Sequence, residues 1–286
     1  MQLMALPRNV AHAYWRLRNK IDIRSGRRAK HIIICGYPRS GTSLLFNMIS
    51  ASISGFRCET FEELAVHRLH RSGNYVTKYP LDILNVDEII RCNLLDKKLY
   101  FVVMIRDVRD LISSRHPMVP NRYFLDYESS LWPQNNRFTD WRNDAPGIRA
   151  VYNAIENCMS RCDINFLKLR YEDLVRNANR VQQRVEEFAS LKFAISFYDY
   201  YKQQHKHAYR YAGRYRAMDA SLVRENDQVD ESRVSKWKNP EHAAIIRAQF
   251  SKHPELFDIL VRDGYELDAN WFLDMQDLDV RKMQDT

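Results

Sequence analysis

The stretch HIIICGYPRSGTSLLFNMI, residues 31–49, decides the fold. Its first five residues, HIIIC, form an apolar, largely β-branched run that reads as a strand buried on both faces. A loop with glycines at 36 and 41 follows, and SGTSLLFNMISAS then carries Leu44, Leu45, Met48 and Ile49 at helical spacing. Strand, glycine turn and helix in that order outline a phosphate-binding loop, because the backbone N–H groups at a helix start converge on an anion; a merely structural turn is the other reading. Gly36 and Gly41 stand five apart, as in a Walker A loop, yet position 42 is Thr where that motif has Lys. The loop therefore suits an anion, with Ser40, Thr42 and Ser43 as hydroxyl donors and Arg39 as its cation. It lacks the lysine that reaches the terminal phosphates of a nucleoside triphosphate.

Working outward, FRC at 56–58 reads as a short strand before a helix TFEELAVHRLHR, and NYVTK as a strand before PLDILNVDEIIRC, which Pro80 opens at its first turn. KLYFVVMI at 98–105 is the strongest strand, since seven of its eight residues suit burial on both faces, and the helix RDVRDLISSR follows directly. INFLKLR at 164–170 is another strand, leading into YEDLVRNANRVQQRVEEFA. Strands alternating with helices predict an α/β fold: a P-loop-like three-layer sandwich, its central, mostly parallel sheet flanked by helices and its ligands at the carboxyl ends of the strands. Residues 116–146, rich in Pro, Asn and aromatics, break this rhythm as one long loop. Such a loop is a candidate acceptor-binding lid or a structural insertion.

The expected organisation is a single domain over 31–286, preceded by a basic amphipathic segment over 1–30. In that segment Val10, Tyr14 and Leu17 recur at helical spacing among Arg8, Arg16, Arg18 and Lys20, so residues 8–20 suit either docking on the domain or contact with an anionic membrane surface. A net charge of +8 over 286 residues points to an anionic ligand or surface. No zinc-finger spacing, aromatic RNP pattern or basic region leading into heptads speaks for nucleic acid. The five cysteines, Cys35, Cys58, Cys92, Cys158 and Cys162, are odd in number and scattered, which fits reduced thiols. Cys158 and Cys162 lack two further ligands nearby, so no metal is expected. With no long apolar run and no signal core, the expected location is the cytoplasm.

A second anion site stands in VVMIRDVRDLISSRH, where Arg106 ends a buried strand and Ser114 follows eight residues later, about two helical turns along. Two anion sites at neighbouring strand ends suit a ligand with two separated phosphates. At this point the chain resembles the PAPS-dependent sulfotransferases, whose donor is 3′-phosphoadenosine 5′-phosphosulfate. The family's 5′-phosphosulfate loop stands here as PRSGTS at 38–43, and its 3′-phosphate motif as Arg106 with Ser114. LRYEDL at 169–174 and RVSKWKNPEH at 233–242 are similar to its further segments, in family order. The resemblance implies that Arg39, Ser40, Gly41, Thr42 and Ser43 hold the 5′-phosphosulfate and that Arg106 and Ser114 hold the 3′-phosphate. Tyr171 would lie by the adenine, and Arg233, Lys236 and Lys238 would cap the phosphates.

Sulfuryl transfer needs an aligned acceptor hydroxyl, a base for its proton and positive charge over the leaving oxygens. Arg39 is the first choice for the leaving group, and Lys78 in VTKYP resembles a lysine that reaches the same sulfate in many relatives; a solvated lysine ahead of a helix is the other reading. Cytosolic small-molecule relatives place a histidine after that lysine, and this chain has none there. Protein-tyrosine sulfotransferases place a glutamate after an arginine and a cysteine, and FRCETFEE offers Glu59 at that position, with Glu62 and Glu63 close behind. An ordinary helix-start role for Glu59 stays open. His67, His70 and His116 are reserves. Aromatics at Tyr123, Phe124, Tyr127, Trp132, Phe138 and Trp141 could stack on a sugar or aryl ring or fill the loop's own core. The expected acceptor is a carbohydrate or glycolipid hydroxyl, with a tyrosine or small phenol as the alternative. A P-loop nucleotide kinase and a non-catalytic nucleotide sensor are the rivals from other classes.

Overall fold

A computed structural model describes residues 28–58, 62–115, 123–134, 137–202 and 231–273, with the side chains of 132–142 outside the description. The strands Lys30–Gly36 (β1), Phe56–Cys58 (β2), Asn74–Lys78 (β3), Lys98–Ile105 (β4) and, later in the chain, Phe166–Arg170 (β7) form one sheet in the order β2-β3-β1-β4-β7. Every pairing in it is parallel. The order places β1 at the centre, with Ile34 opposite Lys78 on one side and Val102 on the other. Ile32, Ile33, Ile34, Val102, Val103 and Met104 expose no surface, so both faces of the central strands are covered. Each such side chain contributes roughly 1.5–3 kcal/mol of burial free energy.

The helices are Thr42–Ser52 (α1), Val66–Leu69 (α2), Val86–Cys92 (α3), Val108–Ile112 (α4), Ile148–Met159 (α5), Tyr171–Arg176 (α6), Ala178–Ala189 (α7), Ala243–Lys252 (α8) and Glu255–Arg262 (α9). The described residues from 28 to 105 and from 154 to 202 form one compact unit, and those from 106 to 153 and from 231 to 273 a second. The sheet, the glycine loop and α1 belong to the first unit. In the second, α8 and α9 both pack on α4.

Several predicted elements come out differently. The helix foreseen over TFEELAVHRLHR shrinks to Val66–Leu69, with 59–61 outside the described residues. Tertiary bonds claim the backbone before it: Glu63 N–H donates to the Lys78 carbonyl at 3.1 Å and Ala65 N–H to Asp82 Oδ2 at 3.0 Å. Pro80 opens a 3-10 turn over Pro80–Asn85, and only then does α3 begin. The helix read from 171 onward breaks at Asn177, whose side chain accepts the Arg180 N–H at 3.1 Å and so starts α7 afresh.

The supposed loop 116–146 is largely a hairpin, with β5 at Ser129–Gln134 antiparallel to β6 at Arg137–Pro146. Its alternation is masked by register shifts between Ser130 and Trp132 and between Pro133 and Gln134, and a proline inside β5 hides a strand from composition alone.

Candidate active site

The loop between β1 and α1 is shaped by close backbone approaches. A Cβ on Gly36 would lie 2.2 Å from the Met104 carbonyl oxygen, so only glycine lets β1 and β4 meet there, and Tyr37 N–H then bonds that same carbonyl at 3.1 Å. Arg39 (φ 69°) and Gly41 (φ 87°) both lie in the left-handed region, unusual for an arginine. Ser40 closes the turn, its hydroxyl donating to the Tyr37 carbonyl at 2.7 Å and its N–H reaching the same oxygen at 3.3 Å. Ser40 thus braces the loop. The first helical bond of α1 runs from Leu45 N–H to the Gly41 carbonyl at 3.0 Å. The N–H groups of Thr42, Ser43 and Leu44 therefore precede the intrahelical ladder, and no acidic residue occupies that first turn.

A cation arrives from the neighbouring strand. Lys78, the last residue of β3, is 7% exposed, and its Nζ donates to Ser43 Oγ at 3.1 Å and to Glu62 Oε1 at 2.7 Å. The solvated-lysine reading of Lys78 is thereby overturned. The parallel pairing of β3 with β1 ends with Ile34 opposite Lys78, which brings the lysine out at the strand end where the loop begins. Glu62 is the carboxylate that the structure ties to this lysine; Glu59 lies outside the described residues. Tyr171, at the start of α6, is 5% exposed and lies against the loop, its Cδ2 just 2.5 Å from where a Cβ on Gly41 would be. Glycine at 41 is thus required twice, by the backbone angle and by the tyrosine ring.

The second unit holds Arg106, covalently next to the end of β4. Arg106 is 7% exposed, pairs with Asp110 Oδ2 at 3.3 Å and donates to the Arg233 carbonyl. Asp110, 1% exposed, also accepts the N–H groups of Ser235 at 3.0 Å and Trp237 at 2.9 Å, fastening the basic segment to α4. Burial raises the Asp110 carboxyl above the ordinary range, while Arg106 and the two N–H groups pull it back. Asp107 caps α4 by accepting the Arg109 N–H at 2.9 Å. Buried Val108, Leu111 and Ile112 fix the helix in its unit.

Ser114 is not two helical turns along. The helix stops at Ile112, because the Ser114 carbonyl accepts the Phe124 N–H at 3.1 Å and Arg115 bridges antiparallel to Tyr123. Asp110 went unrecognised in the sequence, although its spacing from Arg106, four residues along a helix, was the available signal. Arg233, Lys236 and Lys238 are exposed on the segment that Asp110 holds, and Trp237 between them is buried.

Of the reserve histidines, exposed His67 pairs with Glu63 at 3.0 Å, His70 is exposed and His116 lies outside the described residues. Among the aromatics expected to stack on an acceptor, Phe124 and Tyr127 are each 5% exposed, with Tyr127 against His253 at 4.5 Å between ring centroids, so they fill the core of their unit. Cys158 is buried and Cys162 exposed, both as free thiols. Among the described residues no group of three or more His, Cys, Asp or Glu could hold a metal ion, and no helix is long and apolar enough to cross a membrane.

Among solved structures, the sulfotransferase domain of the Synechococcus PCC 7002 olefin synthase is similar at 14% identity and a TM-score of 0.44, covering 74% of this chain and 88% of that one. The sulfotransferase domain from the curacin biosynthetic pathway is similar at 16% identity and a TM-score of 0.45, covering 78% and 98%. No curated protein matches. The family model described as "Sulfotransferase domain" matches residues 29–242, three quarters of the chain, and takes in the glycine loop, Lys78, α4, Tyr171 and the Trp237 segment. On that span the chain belongs to the sulfotransferase-domain family, and it is a transferase.

Proposed function

We propose that the protein moves a sulfuryl group from 3′-phosphoadenosine 5′-phosphosulfate to an acceptor hydroxyl, and that the glycine loop with Lys78 serves the 5′-phosphosulfate. The observation that carries this is Lys78 itself: a buried lysine whose Nζ lies 3.1 Å from Ser43 Oγ, at the start of an 11-residue helix with no acidic residue in its first turn. The residues fit such a donor. A cradle that only glycine allows at 36 and 41, free helix-start N–H groups and a delivered ammonium suit a phosphosulfate where the Walker lysine is missing. The donor supplies a sulfur whose bond to the 5′-phosphate oxygen breaks as the acceptor oxygen bonds it, the electron pair leaving with the bisphosphate. Arg39, Lys78 and the N–H groups of Thr42 and Ser43 are assigned to the charge on that leaving group. Ser40, which also braces the loop, and Gly41 are assigned to the same phosphosulfate. Arg106 and Ser114 are assigned to the 3′-phosphate, Tyr171 to the adenine side, and Arg233, Lys236 and Lys238 to an outer cap over the phosphates.

The acceptor's proton goes to a carboxylate in the 59–63 stretch. Glu59 is the assignment from the sequence pattern. Glu62 has the observed neighbour, since its salt bridge to Lys78 places a 41% exposed carboxylate beside the loop's own cation. For the acceptor we retain a carbohydrate or glycolipid hydroxyl, ahead of tyrosine or a small phenol. That choice rests on the sequence alone, on the aromatics Tyr123, Trp132, Phe138 and Trp141 of the 116–146 stretch, since Phe124 and Tyr127 are buried in their unit.

Calorimetric titration with adenosine 3′,5′-bisphosphate, set against ATP with magnesium, tests the donor. Binding of the bisphosphate that disappears in Arg106→Ala is the expected result, and Lys78→Met should lower turnover of labelled donor by about 100-fold while the chain still folds. Tighter binding of ATP with magnesium, or no bisphosphate binding at all, would sink the reading.

A further inference from the structure

The family match stops at His242, yet two of the side chains that hold Arg109, Glu266 and Trp271, come from beyond it. Arg109 is 2% exposed in the first turn of α4. Its guanidinium forks onto Asp107, with Nε at 2.9 Å from Oδ1 and one terminal nitrogen at 2.7 Å from Oδ2, while the other reaches Glu266 Oε1 at 2.5 Å. Its central carbon lies 3.9 Å from the Trp237 ring centroid and 4.5 Å from that of Trp271, the two rings meeting edge to face 5.4 Å apart. An arginine forked onto one carboxylate, bound to a second and packed in the corner between two indoles is tightly fixed.

Sequence and local geometry aim Glu266 there. Gly264 (φ 68°) ends α9 in a Schellman turn: its N–H bonds the Val261 carbonyl at 3.0 Å and the Tyr265 N–H bonds the Leu260 carbonyl at 2.8 Å. The chain leaves that turn in a fixed direction, and Glu266 is the next residue. Trp271 is set in a ring cluster, 5.0 Å from Phe250, 6.0 Å from Phe257 and 5.4 Å from Trp237 between centroids. Trp237 in turn hangs by its backbone N–H from Asp110, the partner of Arg106. The connections run without a gap from Glu266 and Trp271 through Arg109 and Trp237 to Asp110 and Arg106.

We propose that Glu266 and Trp271 are positioning residues for the 3′-phosphate side of the donor site, acting through Arg109 on the 233–238 segment and on Arg106. The proposal rests on the donor reading above. It predicts that a residue outside the matched domain sets affinity for the bisphosphate.

The test is a cycle of Glu266→Gln, Arg106→Lys and the pair, titrated with adenosine 3′,5′-bisphosphate, with urea midpoints recorded alongside. Glu266→Gln keeps the shape and removes the charge, and it should weaken binding about tenfold. On the Arg106→Lys background it should add little further loss, since both changes act on one contact. Glu266→Asp should recover part of the affinity. Wild-type affinity in Glu266→Gln, or a loss that adds in full to that of Arg106→Lys, overturns the proposal. A wild-type chain that binds no bisphosphate fails the donor reading instead. Should Glu266→Gln not fold, hydrogen exchange on the wild type decides: the bisphosphate should slow the amides of Ser235, Trp237 and 264–272 together. Slowing confined to Ser235 and Trp237 counts against the proposal.

Discussion

Gly41 meets two demands at once, and they explain why a single methyl group there is so damaging. Its φ of 87° strains any L side chain, and a Cβ would sit 2.5 Å from Tyr171 Cδ2 inside a packed contact. Gly41→Ala should therefore destabilise the fold by about 1–3 kcal/mol and weaken bisphosphate binding at the same time. Calorimetry with urea melts checks both, and an alanine variant with native affinity would show that the tyrosine yields. Residue identity made much of this loop legible: the two glycines, the hydroxyls and the missing Walker lysine are all in the string. Lys78 as a further cation comes only through the family resemblance, and the string alone does not show how it reaches the loop. Lys78 lies far along the chain from Ser43, and only the parallel pairing of β3 with β1 places it there. Ser40 has a local partner that the string does not show, its hydroxyl donating to the Tyr37 carbonyl.

Elements show the same division between local and tertiary causes. The strands β1, β3 and β4 match their sequence reading because continuous apolar runs leave few alternatives. The hairpin β5–β6 was hidden because a proline and two register shifts erase its alternation, and pairing with a partner strand is not a local property. Likewise the stretch from Tyr171 reads as one helix, and the break at Asn177 is a capping decision by one side chain. Asn177 is extended in φ (−146°) and accepts the Arg180 N–H at 3.1 Å, so it ends α6 and begins α7. Replacing it with alanine should cost about 1 kcal/mol, read as a lower urea midpoint with an unchanged slope. A variant as stable as the parent would mean that the buried face of α7, with Val181 and Val185, sets the boundary without help from the cap.

At the scale of the whole molecule, buried titratable groups set how stability follows pH, and most of them work against one another. His31 is fully buried and held well below its ordinary range by desolvation and by Lys97, so acid lowers stability as the unfolded chain takes the proton. Asp82, desolvated and raised to about 7, has the reverse effect between its unfolded value and 7, and the two offset each other in acid. Above pH 9 the raised thiols of Cys35 and Cys158 enter, again in the destabilising direction as pH climbs. Between pH 7 and 9 Lys97 is the group that decides. It is 1% exposed, donates to the Arg68 carbonyl at 3.0 Å and sits 4.2 Å over the Tyr75 ring, yet burial first and Arg57 second lower its pKa to about 7. The unfolded lysine stays charged to about pH 10.4, so across this window the unfolded state binds more protons and stability rises with pH. Urea midpoints at pH 7, 8 and 9 should climb with a slope approaching about 1.4 kcal/mol per pH unit, and Lys97→Met should flatten the climb. A wild-type profile flat over that window would mean that the ammonium stays protonated in the fold, with the Tyr75 face and the Arg68 carbonyl supplying enough to keep it charged.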